Sequence, residues 1–195
     1  MGAIGLALGG SLRLVRVGTG VLALLSLLVG AREARAGQTG HHDDFEGSPS
    51  QWFFSASDSR GIGQPKAPVS IPHSGTYSGT FGFIFAAPTT SWSQLGTSFT
   101  LATSHIPTAC SATVYVKPFA SDTLTVQFDI IDTITDTYMS STAYSLPAGD
   151  WTQISTGSFT AAHSNELTVR LFMWGRGSGH TEFLWVDDLD VECLF

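Results

Sequence analysis

Short apolar stretches alternate with clusters of Gly, Pro, Ser and Asp at intervals of about 8–12 residues along most of this chain. Within the stretches the apolar residues recur at every second position, the repeat of a strand with one buried face rather than of a helix. No amphipathic helix of useful length is present. Strands are expected near 43–46, 52–56, 68–71, 79–86, 95–101, 110–117, 123–131, 139–145, 151–157, 167–174 and 183–193. That many short strands call for two packed sheets, because a single flat sheet leaves one apolar face wet. The glycines and proline between 55 and 68 (Gly61, Gly63, Pro65) mark the expected long surface loop.

Residues 1–36 read as a signal sequence: Arg13 and Arg16 precede an apolar run over 17–31, and Ala34 and Ala36 stand at the −3 and −1 positions of a cleavage site. The run is too short and too rich in Gly and Ser for a transmembrane anchor, no lipid-accepting Cys follows it, and there is no twin-arginine pair. Membrane insertion is therefore not expected once the signal is cleaved. Residues 37–42 are expected to be a flexible start, and 43–195 one domain. His41 and His42 beside Asp43 and Asp44 read as a solvated tail rather than a transition-metal site, since the other histidines lack ligand spacing.

Beyond residue 36 there are five basic and fifteen acidic residues. Such a balance argues against nucleic acid or an anionic membrane as partner, because phosphate binding needs a basic face. Thirteen Phe and five Trp exclude intrinsic disorder.

Phasing the alternation gives the core. Cys110, Ala112, Val114 and Val116 share one face, as do Leu124, Val126, Phe128 and Ile130, and Leu167, Val169, Leu171 and Met173. The opposite face of the last two strands then carries Gln127, Arg170, Phe172 and Trp174. Aromatic side chains and an arginine on a face that ought to be polar suggest a contact surface.

Five motifs stand in order along the chain: Asp44-Phe45-Glu46-Gly47 followed by Trp52; His73-Ser74-Gly75-Thr76-Tyr77-Ser78; Ala112-Thr113-Val114-Tyr115-Val116-Lys117; Gly149-Asp150-Trp151-Thr152-Gln153; and Phe183-Leu184-Trp185-Val186-Asp187-Asp188-Leu189. Together they resemble bacterial carbohydrate-binding modules of the cellulose- and xylan-binding jelly-roll type. The resemblance implies an all-β, two-sheet β-sandwich jelly roll of the galactose-binding-like kind, secreted or held in the cell envelope, that binds a polysaccharide or other glycan without cleaving it. It places Trp92 where such modules keep a stacking aromatic, beside Gln127, Arg170, Phe172 and Trp174. Trp52, Trp151 and Trp185 are expected to be packing or rim residues.

The same resemblance implies a structural calcium joining the first strand to the last, with Glu46 and Asp188 as ligands, carbonyls from 74–78, and Asp187 and Asp44 as substitutes. It also sets the strands of Cys110 and Cys193 side by side. With export and inward phasing, that predicts a disulfide between them.

Two other functions are compatible with the sequence. One is an adhesive or structural jelly roll that binds protein. The other is a small glycan hydrolase or lyase drawing a carboxylate pair from Asp129, Asp132, Asp136, Glu166 and Glu182. No Gly-x-Ser-x-Gly elbow or His-Glu-x-x-His helix occurs.

Overall fold

The computed structural model describes residues 37–47, 51–69, 72–84, 87–103, 107, 109–120, 122–160, 164–177 and 179–195. The expected signal sequence lies outside these. Residues Gln38–Phe195 form one compact unit, and its described residues hold eleven strands: β1 (Gln38–Asp43), β2 (Trp52–Ala56), β3 (Gly61–Pro68), β4 (Tyr77–Phe83), β5 (Trp92–Thr100), β6 (Ala109–Phe119), β7 (Leu124–Asp132), β8 (Thr137–Leu146), β9 (Thr152–Phe159), β10 (Glu166–Trp174) and β11 (Glu182–Leu194).

They make two antiparallel sheets. One has five strands in the order β2-β5-β10-β7-β8; the other has six, β3-β4-β11-β6-β9 with β1 also on β11. Strand β11 changes partner part-way: Glu182–Val186 pair with β4, and Leu189–Leu194 pair with β1. Between them the register against β6 shifts at Asp187/Asp190, and Asp188 has φ 47°. This bulge lets one strand serve two neighbours on the same side.

The inward faces are the ones the alternation gives. Val114, Val116, Leu124, Val126, Phe128, Ile130, Leu167, Val169, Leu171 and Met173 are all buried between the sheets, with Phe81, Leu95, Leu184 and Val191. Cys110 and Cys193 stand directly opposite in the β6–β11 register and are joined by a disulfide.

Three expectations need correction, all at sheet edges. Residues 38–42 of the expected flexible start belong to β1, hydrogen-bonded along β11, with the His41 ring stacked 4.0 Å from Phe99. Burial lowers the His41 pKa against the pull of Asp43. The first strand accordingly lies before 43–46, and that turn is held instead by Asp43 and Asp44, whose carboxylates accept the Phe45 and Glu46 amides.

The third strand covers 61–68, inside the expected loop. Its glycines answer to crowding: a Cβ on Gly63 would lie 2.0 Å from the Phe54 ring, and one on Gly61 2.1 Å from the Ala56 Cβ. Pro65 falls within the register shift between Gln64 and Ala67 on this edge strand, where no ladder amide is required of it.

Candidate functional site

The outward face of the five-stranded sheet brings all five expected ligand-binding residues together. Trp92 opposes Trp174 across β5 and β10, and Phe172 lies between Gln94 on β5 and Gln127 on β7. The Trp92 and Phe172 rings are 5.9 Å apart and inclined by 23°, while Trp174 meets Phe172 edge-on at 5.0 Å. Half of the Trp174 surface is exposed. Strand alternation brings these rings out, because each lies one residue from a core position: Leu171 and Met173 bracket Phe172.

A polar network adjoins the rings. The next row across the sheet runs Gly96, Arg170, Asp129, Ser141. Arg170 donates from Nε (3.0 Å) and Nη2 (2.7 Å) to Asp129 Oδ2, and Nη2 also donates to the Tyr138 hydroxyl. Gln127 Nε2 donates to Asp129 Oδ1 at 2.9 Å and to Ser141 Oγ at 3.0 Å. Asp129 is fully buried under this cover. Burial lowers the Arg170 pKa, but its bonds to Asp129 and Tyr138 outweigh that and leave it raised.

Arg170 is thus engaged with the protein, and it holds Tyr138 directly and Gln127 through Asp129. Phe53 completes the surface, its ring lying over Gly96: a Cβ there would be 2.5 Å from Phe53 Cζ.

Sequence reasoning missed Phe53, Gln94, Tyr138 and Ser141 as members of this face, and read Asp129 as outward with Gln127 without foreseeing its bond to Arg170. Gln94 shares the phase of Trp92 and so was within reach of the alternation. Tyr138 was not, since β8 lacks a regular apolar alternation and its register against β7 shifts between Ile130 and Ile131.

Two of the carboxylates considered for hydrolysis are engaged by the protein. Asp129 is bound to Arg170. Asp132 Oδ1 accepts the amides of Ile134 and Thr135 at the β7–β8 turn. Burial raises its pKa, and bonds from Thr135 and Ser164 more than reverse that, leaving it lowered, the wrong direction for a general acid.

The six-stranded sheet has its own outward aromatics. A groove of about 540 Å³ runs along β4, walled by Ile62 and Gln64 on one side and Phe183 and Trp185 on the other, with Thr80 on its floor and Phe54 at its margin. Trp185 therefore faces outward and does not pack in the core. Trp52 is buried as expected, its Nε1 donating to Asp43 at 2.7 Å. Trp151 stands edge-on to His73.

The acids that the resemblance gives to calcium surround the turn 72–76. Glu46 Oε1 accepts the amides of Thr76 (2.6 Å) and Tyr77 (2.7 Å). Asp188 takes the Ser74 hydroxyl on Oδ1 and His73 Nδ1 on Oδ2. Asp187 Oδ2 accepts the His73 and Ser74 amides and the Ser78 hydroxyl. Burial raises its carboxyl to about 6.

Calcium takes six to eight oxygens. Among the described residues no three His, Cys, Asp or Glu side chains converge as a metal set, and both Asp188 oxygens and one of Glu46 are already bound by donors of the turn. Asp44 bonds the Glu46 amide instead. As arranged, these donors do not fit a calcium shell.

No family model matches the sequence, and no curated protein matches it. Solved structures do. A family 61 carbohydrate-binding module in complex with β-1,4-galactotriose aligns with TM-score 0.56 and 12% identity, over 76% of this chain and 92% of that one. The fold is that of the carbohydrate-binding jelly rolls. The CBM22-1 xylan-binding domain of Paenibacillus barcinonensis Xyn10C aligns with TM-score 0.53 and 16% identity, over 83% and 97%. A family 11 module from Clostridium thermocellum, in complex with a β-1,3-1,4-mixed-linked tetrasaccharide, gives 0.52 and 14%, also over 83% and 97%. At these identities the likeness extends to the fold.

Proposed function

We propose that the outward face of the five-stranded sheet binds a glycan without cleaving it. The observation that carries this reading is the row of Trp92, Phe172 and Trp174 beside a hydrogen-bonded Gln127–Asp129–Arg170 network on one open face. Sugar rings offer apolar C–H faces that pack on aromatic rings and hydroxyl rims that need fixed polar partners. This face supplies both. The groove over β4 has aromatic walls, but among the described residues that line it Gln64, Thr80 and the Trp185 indole are the ones with polar side-chain atoms. The structural neighbours described with xylan, β-1,4-galactotriose and a β-1,3-1,4-mixed-linked tetrasaccharide support the glycan class. Export of the protein is part of the proposal, supported by the Cys110–Cys193 disulfide, a bond that persists in oxidising compartments.

Retention on a panel of insoluble and soluble polysaccharides tests it. Trp174→Ala should weaken retention by roughly 5- to 150-fold, the equivalent of about 1–3 kcal/mol for a lost stacking partner, and Trp92→Ala should do so less. Trp185→Ala should leave it unchanged. Loss with Trp185→Ala alone would move the site to the groove over β4, and reducing-sugar release would make the protein an enzyme. Absence of retention on every glycan would favour the adhesive reading.

A further inference from the structure

The 46–47 segment, which the resemblance fastens to the rest of the fold by calcium, carries a different fastener. Lys66 projects from β3 inside the register shift between Gln64 and Ala67, a bulge of the kind that re-aims a side chain. Its Nζ donates to the carbonyl oxygens of Glu46 (2.6 Å) and Gly47 (2.7 Å) and stands 4.2 Å from the centroid of the Tyr77 ring. An ammonium has three donors and no acceptor. Two main-chain oxygens and an aromatic face account for it.

Tyr77 opens β4, and its amide is one of the two that Glu46 holds. The 46–47 segment is therefore gripped twice by the β3–β4 pair, once through the Glu46 carboxylate and once through the lysine.

Main-chain oxygens in this place are what a hard cation would use, and a divalent ion brought to them would face the fixed positive charge of Lys66. We infer that Lys66 is the built-in cation of this jelly roll: its ammonium ties the start of the domain to β3 and β4, and the folded protein needs no calcium. The carboxylates of Glu46, Asp187 and Asp188 collect turn amides and hydroxyls, and the positive charge comes from the chain itself. The role of Lys66 is independent of the glycan reading, since none of these residues lies on the five-stranded sheet.

Thermal unfolding of the full chain tests it. In excess chelator and in millimolar calcium the unmodified protein should melt at the same temperature, because an ion that does not bind the native state adds nothing by mass action. Lys66→Met should lower the melting temperature by roughly 4–8 °C, the scale for two charge-assisted hydrogen bonds in a domain this size. Lys66→Arg, which keeps the charge and donors, should recover part of that loss. A chelator that lowers the melting point of the unmodified protein, or calcium that raises it, would overturn the inference. So would a Lys66→Met protein that melts with the unmodified one. If Lys66→Met does not fold, the response of the unmodified protein and of Lys66→Arg to chelator still decides.

Discussion

Removing Arg170 should damage the fold before it damages the contact surface, and removing Asp129 as well should repair much of that damage. Asp129 is wholly buried, whereas the Arg170 side chain keeps 19% of its surface. In Arg170→Met the Asp129 carboxylate loses both guanidinium bonds and retains only Gln127 Nε2. Stripping one partner from a buried ion pair costs about 3–5 kcal/mol, because the remaining charge stays desolvated. The partial exposure of Arg170 places this case near the lower end, about 3 kcal/mol.

Adding Asp129→Asn takes away the stranded charge and leaves an amide able to bond Gln127 and Ser141, so about 2 kcal/mol should return. Asp129→Asn alone should cost about 1–2 kcal/mol, since the guanidinium left over still reaches solvent. Urea unfolding of the four proteins, followed by tryptophan fluorescence with the slope held common, closes the double-mutant cycle. A cost below about 1 kcal/mol for Arg170→Met, or no recovery in the double variant, would show that the pair does not anchor this face.

Three further outcomes follow from the rest of the molecule. Breaking the Cys110–Cys193 bond, whose partners are 83 residues apart in sequence, should cost up to about 4–5 kcal/mol on the chain-entropy model. Amide exchange should then quicken first in β1 and the Leu189–Leu194 half of β11, and equal protection in oxidised and reduced protein would contradict this. The Asp187 carboxyl, raised by burial from 3.8 to about 6, binds its proton more tightly in the native state than in the unfolded one. Its contribution favours folding fully below about pH 4 and is lost as pH rises through 6, at most about 3 kcal/mol. Urea stability should thus fall more between pH 4.5 and 7 in the unmodified protein than in Asp187→Asn, and parallel profiles would refute it. Gly63→Ala should destabilise strongly, since its Cβ would occupy the Phe54 ring; a melting temperature unchanged from the unmodified protein would show that β2 and β3 can separate there.

The alternation of side chains along a strand follows from local backbone geometry, so one face of β7 and β10 was legible without a fold. Leu124, Val126 and Phe128 inward imply Gln127 outward, and Leu171 and Met173 inward imply Phe172 and Trp174 outward. Edge strands lose this signal. Strands β1 and β3 are half-solvated, with polar residues and glycines at inward positions, and Gly61 and Gly63 look like turn residues until Ala56 and Phe54 are seen to fill the space above them. The pairing Cys110–Cys193 was reachable because the resemblance implies that their two strands adjoin.

What the sequence by itself determined is therefore the strand class, the inward set and the outward aromatics of the central strands. The tertiary structure decided the rest: that Asp129 lies under Arg170, that Trp185 faces outward, and that Lys66 reaches the Glu46 and Gly47 carbonyls. Each joins residues 19 to 41 positions apart, or places one residue on a particular sheet. Such contacts depend on strand order and on bulges such as those at Gln64/Ala67 and Asp187/Asp190. A period-two pattern carries no information about either, because it says which way a side chain points and not what stands opposite.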